Sequence, residues 1–134
     1  MTATNDRIES AHMQMDPTDM RADCIDACLA CIQACTTCAA ACTRVFDPAL
    51  ERCIELNLNC SDVCEATSKV LSRSVDSDPI ARQMIDLCAA VCGICAMECE
   101  SHAGTHEHCR LCAEACRDCL RACDTLADAI GAVS

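Results

Sequence analysis

The chain predicts an all-α fold: an antiparallel up-down-up-down four-helix bundle with a cysteine-lined core and a short N-terminal helix or arm. Three observations carry this. Most of the 18 cysteines among 134 residues recur at steps of three and four, the spacing that puts side chains on one face of a helix. All three prolines follow an aspartate, at Asp16-Pro17, Asp47-Pro48 and Asp78-Pro79, and Asp at N-cap with Pro at N1 opens a helix. Only three glycines and three prolines are present, far fewer turn signals than an all-β fold needs. The length suits one domain with a real core. Phe46 is the only aromatic residue, so Cys, Ala, Leu, Ile, Val and Met must fill that core.

The elements follow in order. Residues 1–16 form an N-terminal arm or a short helix, around 4–14, and residues 17–134 form the bundle. The first helix spans 17–44 and carries Cys24, Cys28, Cys31, Cys35, Cys38 and Cys42. The second spans 48–73 and is the poorest in thiols, with Cys53, Cys60 and Cys64. There Asn57 stands where the pattern calls for another core residue. A buried amide needs partners; it either fixes register through hydrogen bonds or offers its oxygen to a metal. The third helix spans 79–102, with Cys88, Cys92, Cys95 and Cys99. The fourth spans 106–131, started at Thr105 in the Gly104-Thr105 turn with Glu107 in its first turn. It carries Cys109, Cys112, Cys116, Cys119 and Cys123.

Short connections make neighbouring helices antiparallel. That order places Cys42, Cys53, Cys99 and Cys109 at one end. The middle holds Cys31, Cys35, Cys38, Cys60, Cys92, Cys95, Cys112 and Cys116. Cys24, Cys28, Cys64, Cys88, Cys119 and Cys123 lie toward the other end, beyond which Leu71, Met84, Ile85, Leu126 and Ile130 form a hydrophobic plug. The first end is open and collects His102, His106 and His108. His12, Met13 and Met15 lie in the arm, which either covers the bundle or binds metal. A second apolar stripe on the first helix, Ile25, Leu29, Ile32 and Ala39, is either a flank of the core or a subunit contact.

Ten Lys and Arg against 21 Asp and Glu give a net charge of −11. No basic surface is available for nucleic acid or for an anionic membrane. The N-terminus, Met1 to Glu9, has neither the basic nor the apolar region of a secretory signal. The sequence shows no 18-residue apolar run that would span a bilayer. The expected location is the cytoplasm, where thiols stay reduced.

A core of thiols loses apolar burial relative to leucine, so packing does not explain it. Structural disulfides do not need this ladder either, because neighbours one helical turn apart point side by side. Soft metals remain: Cu(I), Zn²⁺, Cd²⁺ or iron–sulfur clusters. Four thiolates on one Zn²⁺ keep two negative charges, which is costly several times over in a dry tube. One Cu(I) per thiolate is neutral. Zn²⁺ also wants tetrahedral groups of four thiolates, which a one-helix ladder does not obviously assemble, and iron–sulfur ligands cluster in loops. Histidines at the open end suit copper uptake. No Ser–His or Cys–His catalytic pair stands out, although Cys109 adjoins His108.

The repeated Cys-x-x-x-Cys pairs, Cys24–Cys28, Cys31–Cys35, Cys38–Cys42, Cys60–Cys64, Cys88–Cys92, Cys95–Cys99, Cys112–Cys116 and Cys119–Cys123, are interleaved with Cys-x-x-Cys. In this the chain resembles the bacterial copper storage proteins, over residues 17–131, and their cytosolic branch in particular. The resemblance implies storage of many Cu(I) ions inside a four-helix bundle, no catalysed reaction, and a homotetramer. It also implies a histidine-bearing mouth, mapped here to His102, His106 and His108. Copper ions, handed over by a copper chaperone, are the implied partners. The absence of a thiol at Asn57 puts that layer of the column in question. A Zn²⁺ or Cd²⁺ thiolate buffer and a thiol redox sensor built on Cys42, Cys53, Cys99 and Cys109 are the alternatives.

Overall fold

A computed structural model describes residues 17–73 and 78–133, and four α-helices account for nearly all of them. They are α1 (Pro17–Val45), α2 (Glu51–Arg73), α3 (Pro79–His102) and α4 (Glu107–Val133), with a 3-10 turn at Pro48–Leu50 leading into α2. No strand occurs among the described residues. The arm, with His12, Met13 and Met15, and the Asp16 cap lie outside them.

Local chemistry sets the helix starts. The Asp47 carboxylate accepts the Ala49 N–H at 3.0 Å, and the Asp78 carboxylate accepts the Ile80 N–H at 2.9 Å, each ahead of a proline at N1. The second Asp-Pro start therefore opens a 3-10 turn first, and that turn buries Leu50 completely. The fourth start differs from expectation. The His106 carbonyl accepts the N–H groups of Cys109 and Arg110, so His106 rather than Thr105 stands at the N-cap. Gly104 is not left-handed; α3 ends in a right-handed Ala103. The left-handed residue is Phe46, with φ 58°, which ends α1.

Helix α1 packs on α2 and α4, and α3 packs on the same two. This is the ring of an up-down-up-down bundle. Facing cysteines show its antiparallel sense: Cys24 meets Cys123 and Cys42 meets Cys109 between α1 and α4, while Cys53 meets Cys99 and Cys64 meets Cys88 between α2 and α3. The far plug contains Leu71, Ile85, Leu126 and Ile130, joined by Ala81. Met84 is only half-buried, one helical position off the inward stripe that Ala81, Ile85 and Cys88 define. In the second stripe of α1, Ala39 is buried and Ile25 and Ile32 lean on the core, while Leu29 is exposed.

Two helices, α1 and α3, are in fact long and apolar enough by composition to cross a bilayer. Cysteine supplies much of that apolarity, and here the cysteines point into a bundle core.

Candidate metal centre

Every cysteine side chain is buried, at 0% exposure except Cys42 at 1%, and all 18 are free thiols. Steps of three and four keep each helix's sulfurs on its inward face. Small flanking residues at Ala39, Ala96 and Ala113, all buried, let the helices approach. The sulfurs then touch across the axis. Cys31 lies 3.8 Å from each of Cys35, Cys60 and Cys116, and Cys92 lies 3.7 Å from both Cys60 and Cys64. Cys119 is 3.8 Å from Cys28 and 4.0 Å from Cys88. These are hydrogen-bond contacts between thiols, too long to be disulfides.

This arrangement overturns one expectation. Thiols are grouped in fours: Cys28, Cys64, Cys88 and Cys119; Cys31, Cys64, Cys92 and Cys119; Cys31, Cys35, Cys60 and Cys116; Cys35, Cys95, Cys112 and Cys116. In each set all sulfurs lie within 4.8 Å of one another. The groups form across the bundle: two take one thiol from each of the four helices, and two combine a pair one turn apart on one helix with thiols of two others, so the ladder of a single helix does not reveal them. A Zn–S bond of about 2.3 Å corresponds to about 3.8 Å between sulfurs at tetrahedral corners, so geometry alone admits Zn²⁺. Charge separates the candidates. The quartets share members, and filling them with divalent ions leaves buried negative charge that one Cu(I) per thiolate does not.

Thiols in such contact share protons unequally. Cys53 is pulled down to about 3, chiefly by hydrogen bonds from Cys38 and Cys99. Cys99 is pushed up, first by Cys112 and then by Cys38. One thiolate held by its neighbours' S–H groups makes those neighbours harder to ionise. The column is thus ready to exchange protons for soft cations.

Asn57 is fully buried in the middle of this column. Its Oδ1 accepts S–H from Cys112 at 2.9 Å, Cys95 at 3.1 Å and Cys99 at 3.7 Å, and its Nδ2 donates to Cys53 Sγ at 3.5 Å. Among the described residues no buried side-chain nitrogen or oxygen lacks a partner.

The three histidines gather at one end but face different partners. His108 Nε2 is 3.3 Å from Cys42 Sγ, and His108 joins Cys38, Cys42 and Cys109 in a compact group of four ligands. Burial, followed by the charge of His106, holds its imidazole below the usual value, while burial first of all pushes the Cys42 and Cys109 thiols up. His106 sits against His108, ring centroids 5.2 Å apart. His102 turns to Glu98, with Nε2 2.8 Å from Oε2. Leu50, unmarked by any cysteine pattern, is buried in the connection between α1 and α2. Its only sequence signal was its place just after Asp47-Pro48.

Fold and site together define a helical bundle that encloses a column of soft-metal ligands. The chain belongs to the copper storage protein family, whose sequence profile matches residues 18–128. Two structures of a cytosolic copper storage protein from Streptomyces lividans are similar to it. One, with five coppers, is 47% identical with a TM-score of 0.78, over 84% of this chain and 95% of that one. The other, loaded with 10 copper equivalents, is 48% identical with a TM-score of 0.77, over 83% and 86%. The Cu(I)-bound copper storage protein BsCsp3 is 33% identical with a TM-score of 0.72, over 81% and 98%. A comparison with curated protein sequences finds no match.

Proposed function

We propose that this protein stores and buffers Cu(I) in the cytosol, holding many ions per chain on the thiolates inside its bundle. The observation that carries this is the continuous column of buried free thiols contributed by all four helices. Soft thiolates select Cu(I), and a one-to-one ratio leaves the core neutral. Cytosolic and Cu(I)-bound relatives support the compartment and the cargo. The ligands are the 18 cysteines. His102, His106 and His108 assist uptake at the mouth, with His108 placed first by its contact with Cys42. Copper arrives from a copper chaperone, the working form is a homotetramer, and no reaction is catalysed.

Anaerobic titration of the reduced apo-protein with Cu(I) against a chelator of known affinity tests this, with Zn²⁺ in parallel. Uptake should approach about one Cu(I) per thiol, with helical circular dichroism unchanged. Saturation after a few Cu(I), or firmer retention of Zn²⁺, would replace storage by a zinc buffer or a thiol switch.

A further inference from the structure

The ligand group at the histidine-bearing end differs in kind from the rest of the column. Cys38, Cys42 and Cys109 form a triangle of sulfurs with sides of 3.9 Å. The fourth member is not a thiol but the imidazole of His108, whose Nε2 lies 3.3 Å from Cys42 Sγ. All four ligand atoms lie within 4.8 Å of one another. Around a tetrahedral Zn²⁺, with Zn–S about 2.3 Å and Zn–N about 2.0–2.1 Å, sulfurs stand about 3.8 Å apart, and nitrogen and sulfur about 3.6 Å. The group is close to that geometry before any ion enters.

Three features set it apart from the four all-thiol quartets. Three thiolates and a neutral imidazole leave one negative charge on a bound Zn²⁺, where four thiolates leave two. Its members belong to none of those quartets, whereas Cys31, Cys35, Cys64, Cys116 and Cys119 each serve two of them. Shared thiolates suit bridged Cu(I), but two quartets with a common member cannot each close around a Zn²⁺ of their own without bridging. Finally, Cys42 is the one cysteine above 0% exposure and His108 beside it is only part-buried, so a divalent ion sheds its water here at the end of the tube rather than deep inside.

We propose that Cys38, Cys42, Cys109 and His108 form a discrete Zn²⁺ site, filled by one ion in the copper-free protein and emptied when Cu(I) arrives. Binding replaces three S–H protons, released to solvent, by one Zn²⁺. The ion ties the end of α1, through Cys38 and Cys42, to the first turn of α4, through His108 and Cys109. With its lone pair on zinc, His108 is withheld from other ions, and the outermost thiol is covered. In the exchange, three Cu(I) take the three thiolates and one Zn²⁺ leaves. The group passes from one negative charge to neutral, and the imidazole is freed. The site is thus a stopper that copper itself removes, and one divalent ion per chain makes no zinc buffer. The zinc site stands on the geometry; the exchange rests on the Cu(I) storage reading.

The test is anaerobic titration of the reduced, metal-free, full-length protein with Zn²⁺ against a chelator of known affinity, followed by zinc X-ray absorption on the one-equivalent sample. One Zn²⁺ per chain should bind well ahead of any further ion, with three sulfurs and one nitrogen in its shell. That measurement needs no variant. His108→Ala should remove the nitrogen and weaken the first ion by about tenfold or more, with helical circular dichroism unchanged. Cys116→Ser, which alters two of the all-thiol quartets, should leave the first ion's affinity and shell as they were. Cu(I) added to the one-zinc protein should release the ion to a chromophoric zinc indicator. A shell of four sulfurs, no preference for a first equivalent, or an affinity that follows Cys116 rather than His108 would overturn the site. Zinc still bound at full copper load would overturn the exchange. A low Cu(I) capacity beside an intact zinc site would instead refute storage itself.

Discussion

His108 Nε2 stands 3.3 Å from Cys42 Sγ, and this joins the least shielded thiol of the column to the histidines at that end of the bundle. An imidazole nitrogen beside a thiol can take a Cu(I) ion first and pass it inward.

His108→Ala should therefore slow early Cu(I) uptake several-fold while lowering final capacity by no more than about one ion per chain. Stopped-flow initial rates and equilibrium titration measure the two separately. His102→Ala should have the smaller kinetic effect, because that ring is already engaged by Glu98. The reverse ranking would move the port toward α3.

The pH response follows from the sign of the shift at His108. Burial and His106 lower its pKa, so it stays neutral, with a free lone pair, as pH falls through the ordinary imidazole value of about 6.5. Its contribution is fully present above that value and is lost only as pH drops through the lower, folded one. The ratio of wild-type to His108→Ala initial rates should stay flat from about pH 8 to 6.5 and decline toward unity below. A decline beginning above neutrality would contradict this. The pKa values of the Cys42 and Cys109 thiols are shifted upward instead, and their thiolates form only as pH rises, so absolute rates in both proteins should climb with pH.

Leu126 is fully buried in the plug with Leu71 and Ile85. Leu126→Ala should destabilise the apo-protein by about 2–5 kcal/mol through lost burial and a cavity. It should leave the Cu(I) count per folded chain unchanged, because no ligand is removed. Anaerobic denaturant unfolding and the titration above check the two halves.

Phe46 combines φ 58° with 88% exposure. A left-handed backbone disfavours a Cβ, and so exposed a ring has little burial to lose. Phe46→Gly should therefore stabilise the bundle by about 0.5–1 kcal/mol despite glycine's greater unfolded freedom. A loss of stability in the same unfolding assay would mean that the ring has a packing role.

The helices, their order and the inward direction of the thiols were legible because they depend on short-range facts. A step of three or four is a statement about one helix face, and Asp-Pro marks a start through an N-cap that local backbone satisfies. The helix ends were less legible. Phe46, not a glycine, takes the left-handed turn, and His106 displaces Thr105 at the cap, since both are settled by how the bundle closes. Met84 was misplaced by one helical position, too small a rotation for a pattern to resolve.

The linear chain thus determined a thiol-rich helical interior, its plugged and histidine-bearing ends, and the anomaly at Asn57. It did so because periodicity encodes which side of a helix faces inward. The quartets, the separate partners of His102 and His108, and the thiols that surround Asn57 belong to the folded molecule. They depend on the relative height of sulfurs on different helices. Packing across the bundle sets that height, and shifts of an ångström or two decide which thiols are close enough to share an ion.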